Sequence, residues 1–232
     1  MIQDYQPKAE DYFKNARKEI SPLLPDSVER VFEIGCGSGG TLQWLKDTGR
    51  CKETYGVELF EGAAQAAKQH ANAIVVGDAE RLIDQVFDGM QFDLILCLDV
   101  LEHMVDPWAF VKKLHRLLAP EGRVIFSIPN VRNIKVLLPL ALFGRWQYET
   151  EGILDRTHLR FFTRRSALEL ATTSELRVVQ WLRNVPSKAS KLGLLNVLTL
   201  GIFSDMLAVQ YLISSARPAA SAGSSESLSQ TR

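Results

Sequence analysis

The stretch VFEIGCGSGG, Val31 to Gly40, is an apolar run that breaks into glycines at Gly35, Gly37, Gly39 and Gly40. A buried strand that ends in such a turn, with the helix-forming TLQWLKD behind it, lets backbone N–H groups press against a ligand, because glycine enters the left-handed region without penalty. The open question is the ligand: a dinucleotide pyrophosphate, or a group that carries no phosphate.

Outward from this stretch the chain alternates strand-like and helix-like segments. Arg30 to Ile34, Thr54 to Glu58, Ala73 to Val76, Phe92 to Leu98 and Arg123 to Ile128 are short and apolar. Between them, helices are expected over Gly39 to Thr48, Gly62 to His70, Ala79 to Val86, and Pro107 to Leu118, the last stopped by Pro120. Parallel neighbours require crossover connections, so the alternation predicts an α/β fold with a parallel sheet covered by helices on both faces. After Pro129 the rhythm changes, and an insertion over about residues 131–162 holds the apolar run Ile134 to Phe143, Trp146, Tyr148 and EGILDRTHLRFF. Thr163 then caps a helix to about Thr173, and strands follow near Arg177 to Leu182 and Ala208 to Ser214, the second reached through the apolar segment Leu192 to Phe203.

Ahead of the core, Pro7 to Ser21 carries Tyr12, Phe13, Ala16 and Ile20 at helical spacing before SPLLPDS breaks the pattern. The small, polar segment from Ala216 onward has no periodicity and reads as disordered. The chain therefore divides into a lead-in over 1–29, one domain over 30–215 and a tail over 216–232.

With 27 Lys+Arg against 27 Asp+Glu the formal charge is zero, which removes the long-range attraction to nucleic acid that a basic protein has, so no nucleic-acid partner is expected. Cys36, Cys51 and Cys97 are odd in number and lack zinc spacing, as reduced thiols of a cytoplasmic protein would be. Neither Ile134 to Phe143, which is short and holds Pro139, nor Leu192 to Ile213, interrupted by Ser204 and Asp205, is expected to cross a membrane.

Three carboxylates narrow the ligand. Glu33 lies two positions before the first glycine; beside a pyrophosphate its charge is repulsive, and beside an ammonium it is attractive. Glu58 ends the second strand, where an acidic side chain accepts hydrogen bonds from ribose hydroxyls. Asp78, in VVGDAE, places another carboxylate at the carboxyl edge of the sheet, suited to an adenine amino group.

In order and spacing, FEIGCGSGG, YGVEL, VVGDAE and FDLILCLDVLEHMVDPWAFVKKLHRLLAPEGRVIFSIPN resemble the class I S-adenosylmethionine-dependent methyltransferases, over about Val28 to Asn130. The resemblance implies a Rossmann-like, mostly parallel sheet of seven strands whose last strand is antiparallel. It implies S-adenosyl-L-methionine as cofactor, its methionine part held by Glu33, Gly35, Cys36, Gly37 and Gly39, its ribose by Glu58 and Leu59, and its adenine by Asp78 and Ala79. Leu98, Asp99 and on to His103 would form the floor between cofactor and acceptor. The insertion, with DRTHLRFFTRRSALELA, resembles that of small bacterial enzymes similar to ubiquinone O-methyltransferases and to others of polysaccharide and secondary-metabolite biosynthesis.

A sulfonium methyl is already activated, so the protein has to align an acceptor and, for a hydroxyl, remove a proton. His158, three residues after Asp155, and His103 in LDVLEH are the candidate bases; a structural brace is the competing role for Asp155 and His158. Cys36 reads as a small loop-filling residue, since no base neighbours it in sequence. The histidines lack paired ligand spacing, and no metal is expected. The expected function is methyl transfer to a hydroxyl of a small molecule or glycan. The alternatives are a quinone-like or phenolic acceptor, a cofactor-binding module without catalysis, and an NAD-dependent oxidoreductase. Trp146 or Tyr148 would stack on a sugar or ring under a lid, while Ile134 to Phe143 reads equally as lid, core cap or homodimer interface.

Overall fold

The structure is a computed structural model that describes residues 15–185, 196–198, 200 and 203–218. Its centre is a seven-stranded sheet: β1 Val28–Ile34, β2 Cys51–Glu58, β3 Ala73–Val76, β4 Phe92–Leu98, β5 Leu118–Pro129, β6 Arg177–Asn184 and β7 Gln210–Ala216. The strand order is β3-β2-β1-β4-β5-β7-β6. β1 pairs in parallel with β2 and β4, β2 with β3, and β4 with β5, while β7 runs antiparallel between β5 and β6. The helices are α1 Gly40–Asp47, α2 Glu61–Ala67, α3 Ala79–Leu82, α4 Pro107–Leu117, α5 Ile134–Phe143, α6 Arg164–Ala171 and α7 Ser204–Leu207.

Period-two alternation along the strands sorts the core into two layers. Phe32, Ile95 and Cys97 face α4 and α6 through Phe110, Val111, Leu114, Ala167 and Leu170. Their neighbours Val31, Leu94 and Leu96 face the other way, against Leu42 and Leu45 of α1, Ala67 of α2, and Ile20 and Leu23 of the lead-in. Each fully buried leucine or phenylalanine here contributes about 1.5–3 kcal/mol of transfer free energy. The aromatic cluster of Phe32, Tyr55, Phe87 and Phe92, with ring centroids 5.0–5.9 Å apart, closes the end of the first layer remote from the glycine turn.

Several boundaries differ from the sequence expectation. Within the described part of the expected Pro7 to Ser21 helix, residues 15–17 are not helical and Lys18–Leu23 forms a 3-10 helix with Pro22 inside it. Proline lacks the N–H that a longer helix needs, and burial of Ile20 and Leu23 holds the turn in place instead. The first part of that expectation, with Tyr12 and Phe13, lies outside the described residues, as do most of the segment before α7 and residues 219–232 of the expected tail. β5 begins at Leu118, directly after α4, rather than at Arg123. Gly122 makes that junction feasible: a Cβ there would lie 2.8 Å from the Phe92 carbonyl oxygen. The helix expected over Ala79 to Val86 is one turn, Ala79–Leu82. Thr163 does cap α6, in a reciprocal capping box with Ser166.

The insertion leaves the sheet after β5 and returns through a bridge between Asn130 and Phe162. The amides of Leu159 and Arg160 both donate to the Glu102 carbonyl, at 2.7 and 3.0 Å, so its returning limb is laced to the turn after β4. α5 is apolar apart from Lys135, yet Val136 alone of its side chains is buried; Leu138, Leu142 and Phe143 are exposed.

Candidate functional site

All the strands that carry motif residues run parallel, so their carboxyl ends meet along one edge of the sheet. Gly35, Gly37 and Gly39 have φ of 69°, 54° and 80°, and at Gly39 a Cβ would also stand 3.1 Å from the Ala67 Cα. This turn therefore requires glycine at Gly39 for both conformation and space. The Glu58 carboxylate reaches across from β2 and accepts from the Gly37 amide at 2.8 Å and the Phe60 amide at 3.0 Å. It braces the glycine loop against the next strand, and burial raises its pKa while those two amides pull it down.

Glu33 is buried, and one of its carboxylate oxygens, Oε2, has no hydrogen-bond partner. Burial pushes its pKa up to about 8, against the opposing charge of Arg17 and a hydrogen bond from Thr41. A buried carboxylate with an orphaned oxygen beside a glycine turn fits a ligand that brings an ammonium to that point. Asp78 faces less demanding surroundings: it accepts from the Glu80 amide at 3.0 Å and lies 3.4 Å from Arg81, so it caps α3 at the edge of the cleft next to Ala79. Leu59 follows Glu58, and Leu98 ends β4 with its side chain buried.

Asp99 is held from three sides. Ser127 donates to its Oδ1 at 2.6 Å, Gln210 donates to Oδ2 at 2.6 Å, and the Arg17 guanidinium lies 2.8 Å from Oδ2. Its φ of 53° is left-handed, a conformation that a non-glycine residue keeps only when its surroundings impose it. Arg17 also contacts Glu19 and donates to Ser127 Oγ, and its amide donates to Thr41 Oγ1. Burial would lower the guanidinium's pKa, but the charges of Asp99 and Glu19 raise it, so Arg17 is a fixed cation between Glu33 and Asp99. No sequence signal pointed to Arg17. Ser127 and Gln210 did leave one: each is a polar residue inside or at the start of an apolar strand.

Beside Asp99 lies a cavity of about 410 Å³ whose walls include Glu102, His103, Glu149, Asp155, His158 and Gln210. The insertion supplies half of the lining residues, and behind the His158 ring lies Phe161, 6.3 Å away, which Trp146 meets edge-on at 5.2 Å. His158 and His103 are in edge contact, with centroids 4.6 Å apart. His158 Nδ1 is 3.0 Å from the Ile153 carbonyl and His103 Nδ1 is 3.2 Å from the Thr157 carbonyl. A carbonyl only accepts, so both Nδ1 atoms donate, and the neutral rings present Nε2 as the basic nitrogen. Asp155 Oδ1 accepts from the Thr157 amide at 2.9 Å and the Thr157 hydroxyl at 2.7 Å, so its carboxylate orders the loop that carries His158.

Glu102 is buried beneath these rings with neither carboxylate oxygen hydrogen-bonded, and His158 Nε2 is 3.8 Å from its Oε1. Burial, reinforced by Asp99, raises its pKa well above the ordinary range. One potential ligand atom each from Glu102, His103 and His158 lies within 4.8 Å of the others, so these three, unpaired in sequence spacing, are among the described residues the group whose spacing could hold a metal ion. Cys36, Cys51 and Cys97 are buried thiols, and burial raises the pKa of each, which removes Cys36 as a nucleophile.

A family model described as a methyltransferase domain matches residues 8–181. Over 153 residues the chain is 35% identical to the ubiquinone biosynthesis O-methyltransferase of Alkalilimnicola ehrlichii, covering 60% of each chain. It is 32% identical over 163 residues to the enzyme of the same name from Pseudomonas aeruginosa, covering 65% of this chain and 68% of that one. The chain thus spans 60% of the length of the first of these relatives. Among solved structures, a SAM-dependent methyltransferase from Archaeoglobus fulgidus superposes with a TM-score of 0.62 at 17% identity, covering 92% of this chain and 97% of that one. Magnesium protoporphyrin IX methyltransferase from Synechocystis, solved with bound SAH, gives 0.57 at 16% identity, covering 87% and 78%. These two likenesses show the fold. With the glycine turn, the acidic edge, the inserted antiparallel strand and the family model in agreement, the chain belongs to the class I S-adenosylmethionine-dependent methyltransferases.

Proposed function

We infer that the chain transfers a methyl group from S-adenosylmethionine to a hydroxyl of a small molecule seated in the cavity under the insertion. The observation that carries this reading is the juxtaposition of two compartments across Asp99. On one side is the glycine turn with the orphaned Glu33 oxygen; on the other is a cavity that presents two imidazoles of fixed tautomer.

When bound, the cofactor supplies an electrophilic methyl on a sulfonium. The residues that would hold it are Glu33 at its ammonium, Arg17 as a nearby cation for its carboxylate, Glu58 at its ribose, and Asp78 and Ala79 at its adenine. The hydrogen bonds from Ser127 and Gln210 and the Arg17 ion pair fix Asp99 in the floor, so that an acceptor oxygen could be held in line with the methyl. Displacement of a neutral thioether from that methyl would need no protein nucleophile, so this chain's residues have only to align the acceptor and take up its proton. The hydroxyl proton passes to His158 Nε2, and Asp155 holds the loop that aims the ring.

Relatives named for ubiquinone biosynthesis support a phenolic, quinone-like acceptor, and Trp146 with Phe161 supplies aromatic surface beside the cavity. A sugar hydroxyl is the second reading, favoured by the carboxylates Glu149, Glu151 and Asp155 in the wall, which accept from polyols. A methyl-transfer screen with radiolabelled cofactor over substituted catechols, phenols, sugars and glycans decides between them. Calorimetry with S-adenosylhomocysteine and with NAD tests the reading itself: tight binding of NAD alone would refute it and favour an oxidoreductase. Binding of S-adenosylhomocysteine with no transfer to any acceptor would leave a cofactor-binding module.

A further inference from the structure

On the surface beyond the cavity, a single carboxylate holds three guanidinium groups. Asp205, at the start of α7, lies 3.2 Å from Arg132 Nη1, 3.4 Å from Arg164 Nη1 and 3.3 Å from Arg183 Nε. These arginines come from three elements: the turn before α5, the first turn of α6 and the end of β6. Arg183 and Arg164 also lie over the Trp181 ring, with Cζ 4.7 and 5.5 Å from its centroid. The ring limits their rotamers, so the cations are gathered before any ligand arrives.

One negative charge among three positive ones leaves a surplus, and mutual repulsion among the guanidiniums opposes the arrangement. The arginine side chains remain 34–47% exposed, whereas Asp205 is only 16% exposed. The carboxylate is therefore at the base of the cluster and the unused N–H donors face solvent. A planar fork of donors matches phosphate oxygens, and an anion seated on the cluster would relieve the repulsion.

The cluster is also joined to the cavity wall. Asn184, next to Arg183, donates to the side chain of Gln210 at 3.0 Å, and Gln210 lines the cavity. Asn130, adjacent to the wall residue Pro129, donates to the Asp205 carbonyl at 2.8 Å. The cavity itself is rich in carboxylates, so an anionic group on the acceptor is disfavoured near the reacting centre. We propose that Arg132, Arg164 and Arg183 form a phosphate-binding site that takes the phosphate or diphosphate ester of the acceptor whose hydroxyl enters the cavity. The link to an acceptor rests on the function proposed above; the anion site does not.

Isothermal titration of the full chain with inorganic pyrophosphate, in the presence of saturating S-adenosylhomocysteine, tests it. Saturable binding that weakens with added salt is expected. The double variant Arg164→Gln/Arg183→Gln should weaken it at least about tenfold, with S-adenosylhomocysteine affinity unchanged. Asp205→Asn should tighten it severalfold, because the competing carboxylate is gone; if the arginines only brace Asp205, a folded Asp205→Asn chain gains nothing. Displacement of pyrophosphate by phosphatidylglycerol vesicles but not by phosphatidylcholine vesicles assigns the phosphate to a lipid headgroup, and no displacement by either assigns it to a soluble ester. Absence of pyrophosphate binding, or binding indifferent to the double variant, overturns the site. If pyrophosphate binds but S-adenosylhomocysteine does not, the methyl-transfer reading fails while the anion site stands.

Discussion

If Glu33 receives the cofactor's ammonium, as proposed, affinity is expected to climb steeply with pH, because this buried carboxyl is mostly protonated at neutral pH. Burial places the Glu33 carboxyl at a pKa of about 8. At pH 6 about one carboxyl in a hundred is then ionised, and at pH 7 about one in eleven. If only the carboxylate receives the ammonium, the dissociation constant for S-adenosylhomocysteine falls about tenfold between pH 6 and pH 7 and flattens above about 8. Binding at pH 7 releases about 0.9 proton, which calorimetry detects as a dependence of the apparent enthalpy on the buffer's ionisation enthalpy. Glu33→Gln removes the titrating group, so this variant should bind more weakly above pH 8 and lose most of the slope below it. The sign also reaches the ligand-free fold. A carboxyl whose folded pKa exceeds its ordinary 4.5 stabilises the chain at low pH, and that contribution is lost as pH rises toward about 8. A wild-type slope near zero, no proton release, or an unchanged slope in Glu33→Gln would refute the pairing of Glu33 with the ammonium.

Gly39→Ala forces a side chain into a φ of 80° and against the Ala67 backbone, so it should cost about 1–3 kcal/mol in urea unfolding and weaken S-adenosylhomocysteine binding. Glu58→Ala strips the Gly37 and Phe60 amides of their acceptor; a loss of about 2–3 kcal/mol in thermal or urea unfolding is expected, together with loss of cofactor binding. His158→Ala should lower kcat about 10²–10⁴-fold with S-adenosylhomocysteine affinity preserved, measured on whichever acceptor the screen identifies; unchanged turnover would make the Asp155–His158 loop a brace. Arg17→Leu leaves Asp99 without its cationic neighbour and should weaken S-adenosylhomocysteine about tenfold or more while leaving 5′-deoxyadenosine binding near wild type, since that ligand lacks the amino-acid part.

Local physics made the sheet and the cofactor edge legible. Short, continuous apolar segments that alternate with helix-forming ones point to a doubly covered parallel sheet, and a glycine run at a strand end has few uses other than close backbone approach. That logic put Glu58 and Asp78 along one edge, since residues that end parallel strands share an edge by topology, and Glu33 beside the glycine turn; Asp99 came from the family resemblance. Where the reading slipped, the cause was context: Gly122 and the Phe92 carbonyl let β5 start five residues early, and burial of Ile20 and Leu23 replaced an α-helix with a 3-10 turn.

What sequence could not decide were contacts between residues far apart in the chain. Arg17 reaches Asp99 and Ser127, Gln210 completes the Asp99 clamp, and three arginines from separate elements converge on Asp205. Spacing along the chain does not select such pairings, because closing a loop of about a hundred residues costs only about 2 kcal/mol more than closing one of ten, whichever residues are paired. The role of Glu58 shows the division most plainly. Its identity and its place at the end of β2 were set by the sequence; that both its oxygens hold backbone amides of the cofactor cleft was decided by tertiary structure, because only folding brings Gly37 within 2.8 Å of it.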